Sequence, residues 1–173
     1  WPWGAALNLA RFSEAFLILR AQELGLALAL APLVLVVMNI VYSASAFPAG
    51  RFSDGRNRLH LIAAGLVVLI IGDLLMAFSN NLYALALGVV LWGLHMGLTQ
   101  GLLLALVADA APGHLRGTGF GLFNLITGIV TLAASVIAGA LWQGFGASVT
   151  FLAGAIFAAL SLSGLLWLRG AAP

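Results

Sequence analysis

Apolar residues run along this chain in stretches of about 20, each closed by a short group of Pro, Gly, Asn or charged residues. A stretch of that length, rising about 1.5 Å per residue, crosses a hydrocarbon core of about 30 Å as a helix. The punctuation predicts six spans, at about residues 3–19, 26–47, 59–78, 82–108, 117–141 and 149–168. The first closes at Arg20, Gln22, Glu23 and Gly25, the third at Ser79, Asn80 and Asn81, and the fifth near Gln143, Gly144 and Gly146. Pro32 falls inside the second, where neighbouring helices must satisfy the freed carbonyl. The connection from Pro48 to Arg58 is predicted as a charged loop, and the one from Asp109 to Arg116 as a second polar connection. A membrane β-barrel would show alternating segments of about 10 residues, and runs such as Leu66 to Ile71 do not alternate. The expected fold class is therefore an all-α membrane protein.

Composition strengthens that reading. The 173 residues are 63% hydrophobic and 7% charged, against about 25% charged in soluble domains, which leaves too few polar side chains for a water-facing surface and excludes an ordinary soluble enzyme. The chain has no cysteine, and His60, His95 and His114 show no ligand spacing, so neither a metal nor a cofactor is expected. It also carries no P-loop, which argues against an ATP-driven motor within it.

The charge balance is informative only through its placement. Seven arginines face five carboxylates, with no lysine, and in a membrane chain this pattern reports topology rather than affinity for nucleic acid. Arg51, Arg56 and Arg58 follow span two, Arg116 follows span four and Arg169 follows span six, all on one side. Arginine-rich short loops stay inside, so both chain ends are expected to be cytoplasmic. The other side has only Arg20, offset by Glu23. Trp1 stands where a starting Met or a charged signal region would be, so the chain is expected to begin inside a longer protein. The Ala, Gly, Leu and Arg bias points to a bacterial inner membrane.

Ionisable residues within a span are costly and face a partner or a wet cavity. Taking Trp1 and Trp3 as the membrane interface, Arg11 and Glu14 lie roughly 12 to 20 Å deep. In a continuous helix they share a face with each other and with Asn8. Either Arg11 attracts an anionic group and Glu14 exchanges a proton, or the two form a permanent ion pair that neutralises itself. Asn39, Tyr42 and Ser43 share a face of span two, either lining a cavity or joining helices. In span four Trp92, His95 and Thr99 form a stripe with Gln100 beside it; His95 is either a solute or proton contact, or a neutral side chain bonded to a neighbouring helix. Phe120, Asn124, Thr127 and Thr131 form a weaker stripe in span five, and threonine can also bond back to its own helix. Asp73 in span three is a second titrating group or, as the favoured alternative, a partner for Asn80 or Asn81. Gly93, Gly97 and Gly101 repeat every four residues and are expected to admit a neighbouring backbone.

The loop Gly50-Arg51-Phe52-Ser53-Asp54-Gly55-Arg56-Asn57-Arg58 resembles the loop signature of the major facilitator superfamily in its second-half copy, between helices eight and nine. Gly50, Asp54 and Arg58 match in register. Gly55 replaces the basic residue expected after the Asp, and Asn57 replaces the second Gly. The segment from Asp109 through Pro112 and Arg116 to Gly121 is similar to the family's connection between helices ten and eleven. The order of these motifs and the six spans resemble the C-terminal six-helix half, helices seven to twelve, of a twelve-helix fold. The resemblance implies an N-terminal six-helix half, present as a missing region, a separate chain or a second copy, with solute held between the halves near the midplane. Asp54 would then cap a helix or pair across the cytoplasmic face, with Asp109 and Arg116 as a similar pair, while Arg51, Arg56 and Arg58 hold topology or lipid headgroups.

The expected activity is secondary active transport of a small organic solute by alternating access, coupled to protons, with efflux of an amphipathic compound favoured by the apolar walls. The competing expectations are a sensor or structural bundle that does not transport, and an intramembrane enzyme or cofactor-binding bundle. The latter would need paired carboxylates or facing histidines, and only His95 sits clearly within a span.

Overall fold

The computed structural model describes residues 11–53 and 58–170, the last three of them as backbone only. Among the described residues six α-helices follow one another: α1 (Ala15–Glu23), α2 (Ala31–Ser53), α3 (Arg58–Phe78), α4 (Leu82–Ala110), α5 (Arg116–Phe145) and α6 (Ala147–Gly170). Short 3-10 turns, Leu28–Leu30 and Gly113–Leu115, lead into α2 and α5. Among the described residues five segments, those carrying α2 to α6, are long and apolar enough to cross a membrane.

The structure revises the first predicted span. Residues 11–13 are not helical, and α1 begins only at Ala15 and runs for 9 residues. Tertiary contacts displace the helix here. The Ser13 N–H donates to Ser135 Oγ on α5 at 3.1 Å, the Ala15 N–H turns back to Ser13 Oγ at 3.3 Å, and Phe12 is buried among aromatic rings. Arg11 and Glu14 therefore do not share one helical face.

Two prolines also sit differently from expectation. Pro32 is in the first turn of α2, where its missing N–H would have no intrahelical partner. Pro48 lies inside α2 rather than in a loop, because α2 continues to Ser53. Proline removes one backbone bond there, while Ser53 Oγ donates to the Gly50 carbonyl at 2.6 Å and the Arg51 guanidinium lies 5.8 Å from the Phe47 ring centre. Gly50 is thus a helical residue, and Arg58 opens the next helix.

Helices α3 and α4 form the centre. Helix α4 packs on α2 and α3, and α6 packs on the far side of α3. Buried Ile62, Leu66, Leu69, Met76, Val89, Trp92 and Phe151 fill these contacts. A Cβ on Gly93 would meet the Met38 carbonyl of α2, and one on Gly97 would meet Ser45 Oγ and the Ala46 nitrogen. These glycines let two backbones approach. Gly101 departs from the expected series, since nothing stands within 4 Å of its Cβ position. Asn81 caps α4, its Oδ1 accepting from the Ala84 N–H at 2.8 Å, and Gly146 turns the chain between α5 and α6 with φ of 83°.

Candidate functional site

The break before α1 opens onto a cavity of about 560 Å³ between residues 11–14, α4 and α5. Its polar lining includes Arg11, Glu14, Gln100, Asn124, Thr127 and Ser135. Its apolar lining includes Phe12, Trp92, Leu103, Leu104, Phe123 and Leu132. Five residues expected to face a cavity, Arg11, Glu14, Trp92, Asn124 and Thr127, are therefore brought together around one space. Among the described residues Arg11 and Glu14 form no direct salt bridge, although Glu14 is close enough to act electrostatically on the Arg11 guanidinium. Thr127 Oγ1 is buried without a hydrogen-bond partner, leaving an open donor and acceptor in the cavity wall.

Other expected cavity residues lie elsewhere. Asn39 is exposed, and its amide donates to the Leu35 carbonyl of its own helix at 2.8 Å. Tyr42 stands behind the lining and donates to Gln100 Oε1 at 3.3 Å, linking α2 to the cavity wall. His95 is fully buried against α3, with Nδ1 2.8 Å from the Gly65 carbonyl. A carbonyl only accepts, so Nδ1 carries the hydrogen and Nε2 is left as an acceptor without a partner. Thr99 is buried and donates to the His95 carbonyl at 2.8 Å. The predicted stripe divides in this way: Trp92 reaches the cavity, whereas His95 and Thr99 turn to the neighbouring helix. Asn8, Asp54 and Arg56 lie outside the described residues.

Asp73 does not bond Asn80 or Asn81. It is fully buried, and its Oδ1 accepts the indole N–H of Trp92 at 2.9 Å. Ser13 and Ser135 were also hidden from sequence reasoning as site residues. Ser135 is four residues after Thr131 and extends the Asn124, Thr127 and Thr131 stripe, which is the signal that would have found it.

At the charged end of the bundle, Arg58 Nη1 pairs with Asp109 Oδ2. Asp109, expected to open the second connection, lies in the last turn of α4, and it ties that end to the start of α3 instead of pairing with Arg116, which is exposed. Sequence separation obscured this partner, because the two charges are 51 positions apart.

Among the described residues, an all-helical bundle of long apolar helices, glycine-packed around α3 and α4 with a polar cavity beside the non-helical segment before α1, has the architecture of half a major facilitator fold. A profile of the Major Facilitator Superfamily matches residues 5–173, and the chain belongs to that family. An uncharacterized MFS-type transporter of Methanocaldococcus jannaschii is 34% identical over 170 residues, covering 95% of this chain and 42% of that relative. The chain spans less than half the length of that relative. It is a transporter-family membrane protein by sequence and by fold.

Proposed function

We propose that this chain is the C-terminal half of a secondary active transporter that moves a small amphipathic organic solute by alternating access, coupled to protons and in the direction of efflux. The N-terminal six-helix half is the partner that completes the solute path. Its contact surface includes the exposed apolar faces of α2, with Leu33, Val36 and Ile40, and of α5, with Leu125, Ile129 and Val136. The arginine-bearing end faces the cytoplasm of a bacterial inner membrane, with both ends of the chain on that side.

One observation carries the reading: Arg11 and Glu14, both ionisable, line a polar cavity from the non-helical segment and the turn that precede α1, with no salt bridge between them. A charge at membrane depth costs about 3 kcal/mol, and two that make no direct salt bridge are served by a polar group or water entering the cavity they line. Arg11 receives the polar or anionic group of the solute, and Glu14 exchanges the proton. Asn124, Thr127 and Gln100 supply hydrogen bonds. Trp92, Phe123 and Leu132 hold the apolar part of the solute.

The test is pH-gradient-driven flux in proteoliposomes containing the complete two-half protein, across lipophilic cations, drugs and organic acids. Glu14→Gln is expected to lose gradient-dependent flux and to keep counterflow exchange. Flux that persists unchanged in Glu14→Gln removes Glu14 from the coupling mechanism. A panel in which no member moves under any gradient favours the sensor reading.

A further inference from the structure

Behind the cavity wall, four elements meet at one carboxylate. Asp73 on α3 is fully buried, with Oδ1 held by the Trp92 indole and Oδ2 without any hydrogen-bond partner. Across from it, α6 presents Gly154, and a Cβ at that position would lie 2.7 Å from Asp73 Oδ2 and 2.8 Å from Phe12 Cε1. Phe12 belongs to the non-helical segment and packs on Trp92 at 5.7 Å and on Phe151 at 5.6 Å between ring centres. Trp92 and Phe12 both line the cavity, so the carboxylate communicates with the solute site through these two rings of its inner wall.

A carboxylate charge buried with a single neutral donor is poorly compensated. Among the described residues Asp73 forms no salt bridge. The ionisable groups within a turn of the residues packed here are His95 on α4, one turn beyond Trp92, Arg11 and Glu14 on either side of Phe12, and Arg20 of α1, whose Nε donates to the Met76 carbonyl one turn further along α3. Arg58, His60, Tyr83 and Asp109 lie towards the ends of α3 and α4. The buried part of α6 contributes none. A bound proton gives Asp73 the neutrality that no neighbour provides, while leaving Oδ1 free to accept the indole hydrogen bond.

We propose that Asp73 is a positioning residue that binds a proton in this conformation and releases it in another, and that its charge state sets the seating of Trp92 and Phe12 and hence the shape of the break before α1. The carboxyl O–H bond breaks on release, the proton passes to water admitted as Phe12 moves aside, and the resulting carboxylate draws hydrogen bonds from that water. No redox partner is involved. The inference rests on the transport reading but not on Glu14.

The experiment uses the full transporter in lipid vesicles, without solute. Infrared spectra across a pH titration follow the protonated-carboxyl C=O band, and a Ser13→Cys variant reports opening of the break through its rate of thiol labelling. The expected result is a pH-dependent carboxyl band that is absent in Asp73→Asn and shifted in Trp92→Phe, which removes the donor. Thiol labelling of the Ser13→Cys variant is expected to rise several-fold as the band disappears, and adding Asp73→Asn is expected to remove that rise beyond the ordinary ionisation of the thiol. Should Asp73→Asn fail to fold, the Trp92→Phe shift carries the test. A carboxyl band insensitive to both substitutions, or labelling whose pH profile is the same with and without Asp73, overturns the proposal and leaves Asp73 as a structural acceptor. Either outcome is independent of the Glu14→Gln flux result.

Discussion

Arg20 donates from Nη2 to the Ser79 carbonyl at 2.8 Å and from Nε to the Met76 carbonyl at 3.2 Å, fastening α1 to the end of α3. The last carbonyls of a helix have no partner within it. Here they are served from several elements, with Ser148 Oγ of α6 donating to the Ala77 carbonyl at 2.7 Å. Glu23 accepts from the same guanidinium at 2.9 Å and is largely exposed. Arg20→Ala is expected to destabilise the intact transporter by about 2 kcal/mol, because charge-assisted bonds to two carbonyls are lost. Glu23→Gln removes an exposed pair and is expected to cost less than about 1 kcal/mol. Unfolding of both variants in detergent, compared with wild type, checks the order.

Gly97 and Gly101 occupy consecutive turns of α4 but meet different surroundings. Gly97→Ala places a methyl on Ser45 Oγ and the Ala46 nitrogen, so α2 must shift, and the expected cost is about 2 kcal/mol. Gly101→Ala meets nothing within 4 Å among the described residues and gains up to about 0.8 kcal/mol of helix propensity. Thermal stability is expected to separate the pair. Equal losses for both would place another surface against Gly101.

The Arg58 and Asp109 pair bridges the start of α3 and the end of α4 at an exposed end of the bundle. Its expected coupling is below about 1 kcal/mol in a double-mutant cycle, as for other exposed pairs. Arg58→Ala and Asp109→Asn are expected to perturb transport alike, and the exchanged pair Arg58→Asp with Asp109→Arg to restore part of the loss. Restoration by exchange, read in gradient-driven flux, distinguishes a specific contact from a basic loop that only sets topology.

Gly154→Ala tests packing behind the cavity wall. The methyl would press on Asp73 Oδ2 and Phe12 Cε1 together, and the expected destabilisation is about 2 kcal/mol with loss of flux. Gly139→Ala on α5 meets open space and serves as the control, with stability and flux retained.

Helices α3 to α6 begin and end within a few residues of the spans that hydropathy predicts. An apolar run of membrane length admits only a helix, and Asn81 and Gly146 mark their own turns. Glu14 and Thr127 stand out in the sequence because polar side chains at membrane depth are few, and both line the cavity. Helical spacing, however, presumes a continuous helix, and it failed where Phe12 exchanged regular backbone for a place among Phe16, Trp92 and Phe151.

Hydropathy, local backbone chemistry and motif order suffice to define the family, the membrane helices and the polar residues available to a site. The partners of those residues were settled by packing. His95 went to Gly65, Asp109 to Arg58 and Asp73 to Trp92, because contacts between residues 19 to 51 positions apart depend on which helix faces meet, and no local pattern encodes that choice.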